Sequence, residues 1–256
     1  MRKIASLFFA LALTSNAFGW GLTGHRVVGK IAMDHLHPKV RKHIVEVLQG
    51  EDLAMVANWM DHIKSDPSYD TLTPWHYCTV PSVEGMDGHV HPEEGDVWMA
   101  IEKLLKEIET EEYSVDEAFA IRALAHLIGD VHQPLHCGNG TDRGGNDVKV
   151  TFFWEKSNIH RVWDSGMIDY FKLSFTEYAQ WVMQTRTSSE IEAWKAGNVK
   201  DWIRESVEYR EQCYQFDDPE RLNYKYVYDH KDLLHLRLAQ AGVRLADALN
   251  KAYAAR

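Results

Sequence analysis

Cysteine is scarce in this chain: Cys78, Cys137 and Cys213 are the only three among 256 residues. So few thiols exclude a disulfide-stapled scaffold. An oxidising compartment would permit one disulfide bond and leave one thiol over, with the pairing left open by the sequence. Basic charge is also in short supply, with 28 Lys and Arg against 38 Asp and Glu and a net charge of −10. That argues against a protein that follows a long phosphate backbone, which needs a basic stripe. It leaves room for a protein that grips a short anionic segment through bound cations. Internal repeats, low-complexity segments, linkers and a ligand set for a nucleotide cofactor are missing as well. Beyond the first residues no apolar run is long enough to span a membrane.

What is present begins with a leader pattern. Arg2 and Lys3 are followed by an apolar run from Ile4 to Leu13, and Ala17-Phe18-Gly19 offers the small residues that a signal peptidase reads. Residues 1–19 are therefore expected to be a signal peptide cleaved after Gly19, with a single domain over residues 20–256 and a secreted or periplasmic product. Without Arg2 and Lys3 the domain keeps 26 basic and 38 acidic residues, a net −12.

The domain reads as mainly α. Helical spacing of apolar residues predicts two helices between Trp20 and Gly50, a third over Glu51 to Lys64, and others over Asp96 to Ile108 and Val115 to Ile128. Further helical patterns cover His160 to Ile168, Thr176 to Thr185, Val199 to Phe216 and His230 to Ala255. Val148 to Trp154 alternates like a short strand of a hairpin. Tyr224, Tyr226 and Tyr228 alternate as an extended segment would. His89 and His91 fall in a loop and read as solvated.

The organising stretch is His126-Leu-Ile-Gly-Asp130-Val-His132-Gln-Pro134-Leu-His136. Four-residue spacing puts His126 and Asp130 on one helix face, as an imidazole and a carboxylate holding one metal would be. Pro134 should end the helix and turn His136 aside. His160-Arg-Val-Trp-Asp164 repeats the spacing. Asp61 and His76 are further candidate ligands, although either taken alone reads as a surface residue. His25 lies five residues beyond the expected new terminus at Trp20, whose amine is itself a potential ligand. The set is Trp20, His25, Asp61, His76, His126, Asp130, His136, His160 and Asp164. Nitrogen and carboxylate donors of this kind suit zinc. Cys137, next to His136, reads as an ordinary thiol.

Six motifs in this order carry a family resemblance: Trp20-Gly-x-x-Gly-His25, Asn58-Trp-x-Asp61, Pro74-Trp-His-Tyr77, the His126 to His136 stretch, Asp142-Arg-Gly-Gly-Asn146, and Asn158-x-His-x-x-Trp-Asp164. The chain resembles the zinc-dependent single-strand-specific nucleases and 3′-nucleotidases, relatives of bacterial zinc phospholipase C. The resemblance implies a phospholipase C/nuclease-like helical fold and three Zn²⁺. It assigns one ion to Asp61, His76, His126 and Asp130. A second goes to the amine and carbonyl of Trp20, with His25 and a bridging Asp130. The third goes to His136, His160 and Asp164. It further implies hydrolysis of single-stranded DNA and RNA to 5′-phosphate products by a bridging hydroxide, with 3′-nucleotidase activity. Asp61 would orient the hydroxide, Lys64 would stand where an arginine is common, and Asn146 would contact phosphate or base. Tyr77 would stack on a base, and Thr79 replaces an acidic residue that some members use to read it. A monomer is expected, with no stable protein partner and no membrane. The alternative implied by the wider superfamily is a phospholipase C acting on phosphatidylcholine-type lipids.

Overall fold

The computed structural model describes residues 20–256, and the expected leader lies outside the described residues. The chain opens with helix α1 (Leu22–His35) and, after an extended Leu36 and His37, α2 (Pro38–Val47), which has Pro38 at its first position. Proline is tolerated there because the first turn lacks an N–H acceptor in any case. The helix expected over Glu51 to Lys64 is broken into α3 (Leu53–Val56) and α4 (Trp59–His62), continued by a 3₁₀ turn, Ile63–Ser65. The break falls at buried Asn58, whose side-chain amide donates to the Leu22 carbonyl of α1 at 3.2 Å. A tertiary hydrogen bond overrides the local pattern there.

A 3₁₀ segment, Pro67–His76, leads into β1 (Cys78–Thr79). After a loop come α5 (Val97–Thr110) and α6 (Glu117–Val131). Asp96 and Asp116 cap them, accepting from the backbone N–H groups of Met99 and Phe119. As expected, α6 ends before Pro134, which opens a 3₁₀ turn, Pro134–His136, and β2 (Cys137–Gly138). β1 and β2 pair in parallel, Cys78 opposite Cys137. The expected hairpin is β3 (Lys149–Phe152) with β4 (Glu155–Asn158), antiparallel. Its two-residue turn puts Phe153 and Trp154 at positive φ, 46° and 72°.

The predicted helix from His160 to Ile168 is composite: α7 (Ile159–Arg161), a π turn at Val162–Gly166, and α8 (Met167–Tyr170). Then follow α9 (Phe175–Gln184), α10 (Ser188–Trp194), α11 (Val199–Cys213) and α12 (Tyr224–Ala254). The expected extended run of tyrosines is instead the start of α12, capped by Asn223. Tyr226 is buried, with its hydroxyl donating to the Cys213 carbonyl, while Tyr224 and Tyr228 are exposed. One buried tyrosine and two exposed ones two residues to either side fit a helix face as well as a strand. The alternation alone could not decide between them.

α12 is the spine. Leu234, Leu238, Ala241, Leu245, Leu249 and Ala252 are buried along one stripe. The helix lies against α1, α5, α6 and α9, forming one core. All three cysteines are buried free thiols, and the one disulfide bond that the sequence would permit is not formed in this structure. The Cys213 Sγ turns back to the Tyr209 carbonyl of its own helix, and Cys137 Sγ faces the Val131 carbonyl. Among the described residues no helix is long and apolar enough to cross a membrane.

Candidate metal centre

Three segments converge on the C-terminal half of α6. His126 and Asp130 come from α6 itself and His25 from α1. Asp61 comes from α4, and His76 from the end of the 3₁₀ segment before β1. All five side chains are buried. His76 Nδ1, His126 Nε2 and Asp130 Oδ2 form a triangle with sides of 2.9, 3.0 and 3.2 Å. His25 Nε2 stands 3.3 Å from Asp130 Oδ1, so each oxygen of this one carboxylate faces a different part of the cluster. Asp61 Oδ1 lies 3.7 Å from His126 Nε2. Next to these, His136, His160 and Asp164 form another group, with Asp164 on the π turn. His160 Nε2 is 3.1 Å from Asp164 Oδ2, and His136 Nε2 is 3.8 Å from Asp164 Oδ1. Every candidate metal-ligating side chain named from the sequence is thus brought to one place. Trp20 is there too, buried against Gly129 and followed by Gly21, whose N–H donates to the Asp164 carbonyl. Asp61 and His76, surface residues when taken singly, are core residues in the fold.

The imidazoles are aimed from behind. Three Nδ1 atoms meet backbone carbonyls at 2.7 Å: His126 on Ala57, His136 on His76, and His160 on Gly144. Each bond makes Nδ1 the protonated nitrogen and leaves the Nε2 lone pair directed at the cluster. Two glycines allow this approach. A Cβ on Gly129 would lie 2.9 Å from His25 Nδ1. Gly144 has φ +61°, and a Cβ there would strike the Leu135 carbonyl.

The donors fit a metal better than they fit one another. His25 Nδ1 and Nε2, Asp61 Oδ2, Asp130 Oδ1 and His136 Nε2 are buried and make no hydrogen bond. Orphaned polar atoms in a native interior cost about 1–3 kcal/mol each and need an explanation. The charges point the same way. Burial pushes the Asp130 carboxyl up, but the facing His126 and His136 outweigh it and hold it well below the usual range. Burial, with His126 beside it, lowers His25. His76 is lowered to about 4, chiefly by burial. Burial also opposes charge on His136, yet Asp130 and Asp164 outweigh it and raise the group to about 9. Three buried carboxylates among imidazoles thus draw in positive charge, whether protons or cations. Nitrogen and carboxylate donors of this kind suit zinc.

A cavity of about 550 Å³ opens over the centre, lined by His76, His136 and His160 at its floor. Lys64, Tyr77, Thr79 and Asn146 all line it. Lys64 Nζ donates to Asp61 Oδ1 at 2.7 Å. Tyr77 is 45% exposed, with its ring available to solvent. The Asn146 amide donates to the Arg143 carbonyl at 3.0 Å.

Sequence reasoning missed the residues that hold this arrangement. Gln133 donates to Asp164 Oδ1 at 2.6 Å and accepts from the Leu135 N–H. Its signal was its place before Pro134 in the organising stretch. Arg210, buried on α11, donates to the carbonyls of Val80, Pro81 and Cys137 and ties the ends of β1 and β2 together. Nothing local marked it. Asp70, Thr73 and Arg143 also line the cavity and were not singled out.

Comparison with known proteins is consistent with this geometry. The S1/P1 Nuclease family model matches residues 20–254. Endonuclease 2 of Arabidopsis thaliana is 27% identical, the match covering 93% of this chain and 92% of that protein. Nuclease S1 of Aspergillus oryzae is 30% identical over 77% of this chain and 75% of its own length. Nuclease P1 of Penicillium citrinum is 27% identical over 58% of each. None of these matches supports the lipid-directed alternative. A match over almost the whole described chain therefore makes it a member of the S1/P1 nuclease family, a hydrolase acting on nucleic acid.

Proposed function

We propose that the chain is an exported zinc phosphodiesterase that cuts single-stranded DNA and RNA to 5′-phosphate products and also acts as a 3′-nucleotidase. The observation that carries the zinc reading is the convergence of orphaned buried donor atoms below an open cavity. Asp61, His76, His126 and Asp130 would hold one ion. The amine and carbonyl of a processed Trp20, with His25 and the far oxygen of Asp130, would hold a second. His136, His160 and Asp164 would hold a third. Bound there, zinc supplies Lewis-acid neutralisation of the phosphodiester and lowers the pKa of water.

The chain's own residues do the rest. Asp61, steadied by Lys64, keeps a carboxylate oxygen available to orient the attacking water. The Lys64 ammonium adds charge beside the phosphate, without the bidentate fork of an arginine. Tyr77 offers a ring face on which any unpaired base stacks, and a closed duplex has no such face free. Asn146 has one amide N–H beyond its bond to Arg143 to give a substrate oxygen. The Thr79 hydroxyl both donates and accepts, so it serves either a donor or an acceptor edge of a base. Export and processing are supported by the charge and apolar pattern of the first 19 residues.

The test is zinc per chain in secretion-processed protein, measured with hydrolysis of single-stranded DNA and RNA with and without chelator. About three ions and chelator-sensitive cleavage are expected. Zinc-free protein that still cleaves would refute the metal reading, and zinc-loaded protein inert on both substrates would refute the substrate reading. Intact mass should give Trp20 as the first residue.

A further inference from the structure

A second group of metal-ligating side chains lies outside the site just described, in the loop between β1 and α5. His89 and His91 read as solvated in the sequence, but the fold turns both rings onto Asp96. His89 Nε2 is 2.7 Å from Asp96 Oδ2, and His91 Nδ1 is 3.0 Å from each carboxylate oxygen. The three donor atoms lie within 4.8 Å of one another. Asp96 is buried, and His91 is 35% exposed, so the group has a closed side and a wet side. The rings are held in place as well. The Trp98 indole stacks on His89 at 5.4 Å and 6°, and meets His91 edge-on at 5.5 Å.

We propose that His89, His91 and Asp96 form an additional divalent-cation site, separate from the nuclease centre, which takes zinc or another borderline first-row ion. Two imidazole nitrogens and one carboxylate oxygen are the donor types such ions prefer, and the exposed side leaves room for water to complete the coordination. The role fits structural support. The end of the loop that leads into α5 is tied twice to the segment that carries His76 and Tyr77. The Trp75 indole N–H donates to the Glu94 carbonyl, and the Val97 N–H donates to the Tyr77 carbonyl. A cation on Asp96 would draw residues 89–91 onto the first turn of α5 and stiffen the wall beside the base-stacking tyrosine. Asp96 Oδ1 also accepts from the Met99 N–H, so the carboxylate is oriented before any ion arrives.

The experiment compares the intact mature protein with His91→Ala and with His89→Ala/His91→Ala. Each is stripped, reloaded with zinc and analysed for metal per chain. Expected is one zinc fewer per chain in the double variant, with single-strand cleavage retained. Cobalt loading should show a visible absorption component in the parent that the double variant lacks. Equal metal content and equal cobalt spectra would overturn the proposal and leave the three residues as a hydrogen-bonded helix cap. If the double variant folds poorly, Asp96→Asn keeps a capping oxygen and removes the charge. It should weaken zinc binding at this site at least tenfold, and unchanged binding would overturn the proposal. The readout is a difference between variants, so it holds whatever the count at the nuclease centre.

Discussion

Two buried polar clusters meet the same eleven-residue stretch, His126 to His136, and they are built on opposite principles. On one face of α6, His126 and Asp130 look into a group of donors in which five atoms have no hydrogen-bond partner. On the other, His132 looks into a cluster with Arg237, Arg244 and Glu205 in which every contact is made. His132 Nδ1 donates to the Ile128 carbonyl, and its Nε2 accepts from Arg244. Arg237 donates to the His132 carbonyl, Gln240, Ser206 and Trp202, and both arginines donate to Glu205. Burial, reinforced by Arg237 and Arg244, keeps His132 neutral by lowering it well below its ordinary value. Burial of polar side chains therefore does not mark the functional face. Donors that converge without partners mark it.

The contrast gives predictions that could break it. The largest effect belongs to Asp130→Asn. Losing a partner behind a metal ligand typically costs 10–100-fold, so losing a carboxylate between two ligand groups should cost more than about 100-fold in kcat/KM. Zinc content should fall with it, and an unchanged metal count would remove Asp130 from the centre. Next comes Glu205→Ala in the satisfied cluster. Breaking a fully buried ion pair costs about 3–5 kcal/mol. Glu205 is 29% exposed, so solvent screening reduces this to about 2–3 kcal/mol of unfolding free energy. Urea unfolding should show that loss while zinc content and kcat stay at parent values. Tyr77→Ala should raise KM for single-stranded substrate by the equivalent of about 1–3 kcal/mol, with metal content unchanged.

The smallest effect sharpens the rule. His235 is another buried histidine with an unpartnered nitrogen, but it sits among Phe171, Tyr178 and Trp181. Burial lowers it to about 4. A group whose folded value lies below its unfolded one, near 6.5, contributes in full above that pH. It loses its contribution as pH falls from about 6.5 towards 4, by at most about 1.4 kcal/mol per pH unit. His235→Phe should flatten that part of the acid limb in urea titrations without changing zinc content. A loss of zinc would mean that an isolated orphan atom can mark a site.

Much of the site was legible because the informative relations were local. Four-residue spacing placed His126 over Asp130 and His160 near Asp164, and the second pair stays close even though the segment winds as a π turn. Pro134 stopped α6 as its missing N–H requires. The errors came where a distant contact outweighed the local pattern. Asn58 broke a helix to reach Leu22, and Tyr226 turned helical under a hydroxyl bond to Cys213. His89 and His91 turned onto a carboxylate five to seven residues away, with His91 still partly exposed.

By itself the sequence determined the mainly helical domain, the hairpin and the donor set, because period, proline and four-residue spacing act within a few residues of chain. It could not decide which nitrogen of each histidine faces the centre. The carbonyls of Ala57, His76 and Gly144 that settle this are 69, 60 and 16 residues away in the chain. Nor could it say that His132 belongs to a different cluster from Asp130, two residues earlier. That was decided by α12, which brings Arg237 and Arg244 against one side of α6, while α1 and α4 bring His25 and Asp61 to the other. Only packed helices place charges from remote parts of the chain within bonding distance, and that distance decides whether a buried donor is satisfied or left for a metal.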